Sequence, residues 1–196
     1  MIDQPNKPSR KPRADSVRNR ERLVEAATKV FSTGGPEASL EAVAREAGVG
    51  IGTLYRHFPK RDDLFETVYR QEVDLLSALA DQLTEAADPV EALRTWLHAN
   101  VRLVATKKGM IKALQPSLQN NELRAYSFDR LSAALALLIE RGVAAGQLRA
   151  DVEAADLLRT VVGVFYADGQ ADWQTSALRI IDVFVDGLRL QPGRRR

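Results

Sequence analysis

Two short helical patterns joined by a glycine turn constrain the fold of this chain more than any other sequence feature. Ser39 is a favourable helix N-cap residue, and apolar side chains follow it at helical spacing over residues 40–47. Only residues 48–50, read as Gly-Val-Gly, separate this pattern from a second one over residues 51–58. Pro59 then closes the second pattern. The spacing predicts a helix-turn-helix over residues 39–58.

Helical spacing continues through most of the remaining chain, and we find no convincing strand. The longest pattern begins near Asp62 and Asp63 and runs to about Thr84. A helix of this length would be roughly 35 Å long at ~1.5 Å per residue, which is long enough to connect two domains. The next pattern begins at Pro89 and ends at residues 107–109, where basic residues and glycine mark a helix end, before a short segment around residues 110–114.

We therefore predict an all-α fold of about nine helices, in which a long helix joins a three-helix domain (17–70) to a second helical domain (71–190). We also predict a disordered basic arm (1–16), because it carries Pro5, Pro8 and Pro12 and almost no apolar side chain, and a basic tail (191–196).

Composition excludes several classes of protein. The chain has no cysteine, so it has no disulfide framework, thiolate metal site or cysteine nucleophile, and we expect a cytoplasmic protein. No apolar run is long enough to predict a membrane span or a secretion signal. Residues 1–61 carry 12 basic and 7 acidic side chains, whereas the remainder has a net charge of −3. This polarity suggests that the first third meets a polyanion, although a solvated charged face would also explain it.

The predicted packing leaves one side of the second short helix exposed. Leu54 and Phe58 can pack inward against Leu23, Ala27 and Phe31, so the opposite side faces outward. Its polar and basic side chains suit base edges and phosphates. With the preceding caps and the following cations, the predicted DNA-binding residues are Ser39, Gly50, Ile51, Gly52, Thr53, Tyr55, Arg56, His57, Lys60 and Arg61.

From Arg18 to Tyr69 the sequence resembles the TetR family of bacterial transcriptional regulators. The matching residues, in nearly correct spacing, are Ala26-Ala27, Phe31, Gly35, Ala44, Ala47-Gly48-Val49, Gly52-Thr53-Leu54-Tyr55, His57-Phe58 and Leu64. Two positions depart from the family pattern: Gly50 stands where serine is usual and Arg61 where lysine is usual. Glycine is a weaker N-cap than serine, whereas arginine keeps the positive charge for a phosphate.

The resemblance implies that residues 17–70 are a DNA-binding domain and residues 71–190 a ligand-binding and dimerisation domain, and it implies roles for the recognition residues. Tyr55 and His57 would bind operator phosphates, and Ile51, Thr53 and Arg56 would face the bases. A homodimer would place two copies of this helix in successive major grooves of a palindromic operator on double-stranded DNA. A small-molecule effector would then change their separation, with the long fourth helix as the lever. Release of a repressor is the commoner outcome in the family, but the sequence leaves repressor and activator open.

The C-terminal half offers candidates for the effector site and the dimer interface. Bulky residues that could line a ligand cavity are Trp96, Leu103, Met110, Leu114, Tyr126, Phe128, Val161, Phe165, Tyr166 and Trp173. The segment 157–165 is apolar almost all round, which predicts a symmetric four-helix seam with the last helix. The predicted seam residues are Leu157, Val161, Gly163, Val164, Leu178, Ile181, Val185 and Leu188.

Two other classes of protein stay open at this stage. A helical enzyme would use His57 or His98 as a base, but the sequence has no nucleophile motif, phosphate loop or dinucleotide fingerprint. A helical carrier of lipid or another hydrophobic ligand would not bind DNA. We predict no enzyme activity, no cofactor and no metal, and we interpret His98 as a packed or surface residue. The N-terminal arm is either a DNA-binding arm or a solvated leader, and we assign the tail no function.

Overall fold

The computed structural model describes residues 11–33, 38–114, 121–167 and 172–190, without the side chains of residues 11–14, 113, 114, 164, 166 and 167. These ranges contain eight helices: α1 (Lys11–Thr33), α2 (Leu40–Glu46), α3 (Ile51–His57), α4 (Arg61–Leu83), α5 (Pro89–Leu114), α6 (Asn121–Ala144), α7 (Ala154–Ala167) and α8 (Trp173–Leu188). Their one extended feature is an isolated antiparallel bridge between Leu148 and Arg189. The all-α prediction is confirmed.

The first helix begins earlier than the sequence predicts. We expected a disordered arm over residues 1–16, but α1 begins at Lys11. Pro12 lies in the first turn, where a helix has no use for the missing N–H group, so this proline does not prevent the helix. The arm prediction is therefore corrected for residues 11–16. Residues 1–10 and the tail 191–196 lie outside the described residues.

The fifth helix is longer than predicted. We expected it to end at residues 107–109, before a separate short segment, but α5 runs without a break through Gly109 to Leu114. This difference reduces the predicted nine helices to eight in the described ranges. The reason for glycine at this position is tertiary, because a Cβ atom on Gly109 would lie 1.9 Å from the Phe31 carbonyl oxygen of α1. The backbones of α1 and α5 are therefore in direct contact.

The helix-turn-helix packs on α1 and on the start of α4. The side chains that face one another there are all buried, and they are Leu23, Ala27, Phe31, Val43, Leu54, Phe58 and Leu64. Apolar packing of this kind holds short helices that would not be stable alone. The same apolar cluster continues through α4 into the core formed with α5, α6, α7 and α8. The part that contains the helix-turn-helix is thus joined to the C-terminal part by packing as well as by the chain.

Polar contacts fix the position of α4 in the C-terminal part. The indole Nε1 of buried Trp96 donates to the Leu76 carbonyl over 2.8 Å, and the Lys107 ammonium contacts the Tyr69 hydroxyl at 3.3 Å. Later residues of α5 therefore pair with earlier residues of α4, so the two helices are antiparallel. At the end of α4, the Arg141 guanidinium donates to the carbonyls of Leu83 and Ala86 and satisfies acceptors that a helix terminus leaves open.

Candidate nucleic-acid interface and sensor core

The turn of the helix-turn-helix has the geometry that its sequence predicts. Ser39 is the N-cap of α2, and its Oγ accepts from the Ala42 amide at 3.1 Å, as expected from its residue type. Gly48 has a φ of +66°, a left-handed conformation that favours glycine. Gly50 caps α3 with its backbone alone, since its carbonyl accepts from the Thr53 amide at 2.8 Å. The turn therefore sets the direction of α3 without a bulky side chain.

The third helix has one buried side and one exposed side. Leu54 within α3 and Phe58 at its C-cap are 1% and 2% exposed, and they anchor the helix to the core. On the other side Ile51 is 38% exposed and Tyr55 is 44% exposed. Gly52 and Arg56 are also exposed, and Thr53 and His57 are half-buried. The structure thus brings the predicted recognition residues together on one accessible surface.

The remaining predicted DNA-binding residues flank this surface. Lys60 and Arg61 are exposed at the start of α4, directly after α3. Ser39 is half-buried at the start of α2, with its hydroxyl occupied by the cap. We define the recognition surface as the outer side of α3 together with Lys60 and Arg61. Contact of any of these residues with DNA stays a prediction.

An open groove of about 870 Å³ begins beside the recognition surface and follows α4. The sequence did not predict it. Its lining residues include His57, Phe58, two arginines and three carboxylates, namely Arg20, Arg70, Asp63, Glu66 and Asp74. Arg70 is paired with Glu66 at 2.8 Å, and Arg130 with Asp74 at 2.9 Å. The mixed charge does not suit a polyanion, so the surface suited to phosphates is the outer side of α3 rather than the groove.

Most described residues from the predicted ligand set are structural. Trp96, Leu103, Met110, Val161 and Phe165 are buried core residues. The hydroxyl of Tyr126 donates to Asp74, the Phe128 ring lies 4.9 Å from the Arg159 guanidinium carbon, and the Trp173 ring lies 3.9 Å from the Lys108 ammonium. The side chains of Leu114 and Tyr166 lie outside the described residues. The buried members of the set belong to the packed core of residues 71–190, which we name the sensor core, and contact of any member of the set with a ligand stays a prediction.

The sensor core contains a buried polar residue that the sequence analysis missed. Asn100 of α5 is 1% exposed, and neither its Oδ1 nor its Nδ2 has a hydrogen-bond partner among the described residues. A buried donor or acceptor without a partner costs about 1–3 kcal/mol. The available signal was an asparagine within the apolar spacing of Leu93, Leu97, Val101 and Val104. Asn100 is therefore a polar group in the core whose hydrogen-bonding capacity is unused among the described residues.

A second buried polar residue lies near the level of Asn100. Asn100 is one turn after Trp96, and Glu72 is one turn before Leu76, so the antiparallel pairing of α4 and α5 brings them close in height. Burial raises the pKa of the Glu72 carboxyl, and the nearby Arg102 opposes that shift. Thr28 of α1 also lowers this pKa slightly, although its buried Oγ1 has no hydrogen-bond partner among the described residues. Polar groups thus occur where α1, α4 and α5 meet.

The predicted dimer residues lie mainly inside their own chain. Five are buried in the core, which leaves them little surface for a second copy: Leu157, Val161, Ile181, Val185 and Leu188. Leu178 is half-buried, Gly163 is exposed, and the side chain of Val164 lies outside the described residues. The exposed apolar side chains of α8 are instead Ile180, 41% exposed, and Val183, 73% exposed. Phe184 is half-buried beside them, and Gly187 is exposed one turn after Val183.

An ion cluster joins α5 to α8 and includes His98. Arg94 donates to Asp182 at 2.9 Å and to Asp186 at 2.7 Å, and His98 Nε2 lies 2.9 Å from Asp182 Oδ1. Hydrogen bonding from Arg94 is the main cause that lowers the pKa of Asp182; desolvation opposes this shift, and hydrogen bonding from His98 adds to it. His98 is thus a half-buried member of an inter-helix cluster, which agrees with its interpretation as a packed or surface residue. His57, the other candidate base, lies at the end of α3.

The described part of the chain contains no group of three or more histidine, aspartate or glutamate side chains arranged to hold a metal ion. None of its helices combines the length and apolarity that a bilayer crossing requires.

Comparisons with known proteins bear on both halves of the chain. Residues 23–68 match the model of bacterial regulatory proteins of the tetR family. Residues 88–190 match the model of the transcriptional regulator SbtR-like C-terminal domain. An HTH-type transcriptional regulator of Staphylococcus aureus (strain USA300) is 31% identical over 116 residues, which are 58% of this chain and 62% of that protein. The chain therefore spans less than two thirds of the length of this relative.

Solved structures match over nearly their whole length. A TetR transcriptional regulator of Streptomyces coelicolor is 37% identical, with 87% of this chain and 98% of that chain covered and a TM-score of 0.73. A TetR transcription regulatory protein of Mycobacterium vanbaalenii is 32% identical, with coverages of 91% and 99% and a TM-score of 0.68. With both halves matched and the helix-turn-helix in place, the chain belongs to the TetR family of bacterial transcriptional regulators.

Proposed function

We propose that this chain is a ligand-responsive repressor that binds a palindromic operator as a homodimer and is released by a small-molecule effector. The observation that carries the proposal is the exposed side of α3, held outward by the burial of Leu54 and Phe58. A helix anchored in this way can enter a major groove without unfolding part of its own domain.

The proposed contacts follow from the chemistry of the recognition surface. The hydroxyl of Tyr55 and the imidazole of His57 bind backbone phosphates, and Lys60 and Arg61 add positive charge beside them. Thr53 and Arg56 offer hydrogen bonds to base edges, and Ile51 offers an apolar contact to a thymine methyl group. Gly52 allows a close approach of the backbone to DNA. Residues 11–70 thus form the DNA-binding part and residues 71–190 the sensor.

The proposed dimer interface uses the outer side of α8. Ile180, Val183, Phe184 and Gly187 follow helical spacing and form one stripe, which we name the seam stripe. A two-fold axis would place this stripe against its own copy, and the exposed Gly163 of α7 would allow close approach. Burial of apolar surface on both copies would then stabilise the dimer.

The proposed effector binds within the sensor core, where Asn100 supplies a donor and an acceptor. To release the repressor, an effector must favour one dimer geometry over the other through different affinities for the two. The long α4 carries such a change towards the recognition surface. The direct contact of α1 with α5 offers a second route for it.

Operator selection tests the proposed function. Wild-type protein is used to enrich duplexes from a random 30-bp library, and the bound mass is measured by light scattering. We expect a two-fold symmetric sequence bound by two protomers, and release of that duplex by one compound in a metabolite panel. A carrier protein that does not bind DNA would enrich no sequence, and this result would overturn the proposal.

A further inference from the structure

The first turns of α1 extend beyond the core that the helix helps to form. Leu23 is its first buried residue, and residues 15–22 are all exposed except the half-buried Asn19. The segment Lys11–Arg22 has five basic residues and two acidic ones. Because packing does not require these turns, their exposed side chains are available for a partner.

Contacts between α1 and α4 place this extension at the DNA-binding end of the molecule. Arg20 donates to Thr67 Oγ1 at 3.3 Å, and its guanidinium carbon lies 4.4 Å from the centre of the Phe58 ring. Phe58 closes α3 and Thr67 lies in the second turn of α4. The extension therefore lies beside the start of α4, which carries Lys60 and Arg61.

One arginine of the extension lies over the helix-turn-helix itself. A Cβ atom added to Gly48 would lie 2.7 Å from Arg22 Nη2, so this guanidinium covers the turn that leads into α3. Arg22 has no ion-pair partner among the described residues. Arg18 is one turn earlier on the same side of α1 and is paired only with Asp15, through side chains that are 67% and 59% exposed. An exposed pair of this kind is weak and can exchange its carboxylate for a phosphate.

We propose that Arg18 and Arg22 form a second duplex-binding surface that contacts backbone phosphates next to the recognition surface. The inference rests on the proposed DNA-binding function and extends it to α1. Two features favour a duplex as the partner: the surface is continuous with the recognition surface through the turn, and its guanidinium groups match phosphate geometry. Because phosphates carry no sequence information, this surface adds affinity for every duplex alike.

The double variant Arg18→Gln/Arg22→Gln tests the inference in the full-length chain. Binding is measured from 50 to 300 mM salt on the selected operator and on an unrelated 30-bp duplex. We expect affinity for both duplexes to fall by a similar factor, about 10-fold at 150 mM salt. The log-log salt slope should decrease in magnitude by about 2 to 4, since each lost phosphate contact removes about 0.9 and each dimer has two copies. Arg149→Gln, which removes one positive charge per protomer in the loop between α6 and α7 and so matches the single variant Arg18→Gln, should change neither quantity.

Two further variants keep the test decisive. Arg22 packs over the turn, so Arg18→Gln alone, which leaves that packing intact, should still reduce the salt slope. Asp15→Asn should instead tighten binding to both duplexes, because it releases Arg18 from its carboxylate. Wild-type affinity and slope in the folded double variant would overturn the inference and leave the proposed function intact. Failure of the wild-type protein to select any operator would overturn the proposed function itself.

Discussion

Helices α3 and α8 both bury one apolar side, but they differ in the chemistry of the side that they leave exposed. Each buries one apolar side in its own chain, with Leu54 in α3 and Ile181 and Val185 in α8. The exposed side of α3 is mainly polar and basic, whereas that of α8 presents the seam stripe, with Val183 73% exposed. Burial alone therefore does not distinguish the partners expected of the two helices. The chemistry of the exposed side does, because that of α3 suits a polyanion and that of α8 suits an apolar surface such as its own copy.

The largest expected effect comes from placing a charge in the seam stripe. Val183→Asp would bury an unpaired carboxylate on each side of the two-fold axis, which is costly. We expect the dimer dissociation constant to rise about 1,000-fold, or about 4 kcal/mol, measured by sedimentation equilibrium. Leu75→Asp is the matched control, because Leu75 of α4 is 54% exposed but lies away from the stripe. A Val183→Asp protein that stays dimeric would remove the proposed difference between α3 and α8.

The next effect tests the polar side of α3. Tyr55→Phe removes one hydroxyl and leaves the ring, so operator binding should weaken by about 1 to 2 kcal/mol in a mobility-shift titration. The loss should be equal on an unrelated duplex if the hydroxyl contacts phosphate. Tyr126→Phe removes a hydroxyl that donates to Asp74 and should leave the operator affinity unchanged. An unchanged affinity in Tyr55→Phe would contradict the role assigned to Tyr55.

A third prediction concerns α5, which contacts both the DNA-binding part and α8. Asn100→Leu replaces an unpartnered buried amide by an apolar side chain of similar size, so the free energy of unfolding should rise by about 1–2 kcal/mol. Urea unfolding measures this change. Gln71→Leu, at an exposed site of α4, should change it by less than about 0.5 kcal/mol. Destabilisation by Asn100→Leu would show that the amide is hydrogen-bonded in solution.

The smallest expected effect concerns the ion pairs that hold α8 against α5. Among the described residues, α3 has no such pair. Because the folded-state pKa of Asp182 is lowered, its contribution to stability is present above the unfolded pKa of about 3.9 and is lost as pH falls through the folded value. Wild-type protein should therefore lose unfolding free energy more steeply below about pH 4 than Asp182→Asn. Urea unfolding between pH 3 and pH 7 measures the slopes. Asp81→Asn, at an exposed site of α4, should keep the wild-type slope, and equal slopes in all three proteins would contradict the prediction.

The sequence predicted the recognition surface better than the sensor. Caps, turn glycines and helical spacing are local signals, and each involves residues that are close in sequence. The signals at Ser39, Gly48 and Leu54 were therefore enough to place α2 and α3. The seam residues were assigned from apolar spacing, which identified the inner side of α8 but did not separate it from Val183 on the outer side. Both sides are apolar, and burial by the rest of the chain decides between them.

Features that depend on distant residues were not predictable from local patterns. The pair of His98 and Asp182 joins residues 84 positions apart, and the isolation of Asn100 depends on every helix that surrounds it. Gly109 was interpreted as a helix end because glycine commonly terminates helices. Its actual reason is the backbone of α1, on another part of the chain. Pro12 was likewise interpreted as a sign of disorder, although a first helical turn tolerates it.

The contact between Gly109 and the Phe31 carbonyl has a mechanical consequence. With no side chain between the two backbones, there is no soft layer to absorb a displacement, so a shift of α5 towards α1 must push α1 by the same amount. The base of α3 rests on α1 through Phe58 and Arg20. Through this contact, a sub-ångström movement of α5 would therefore tilt α3, the helix that is proposed to bind DNA.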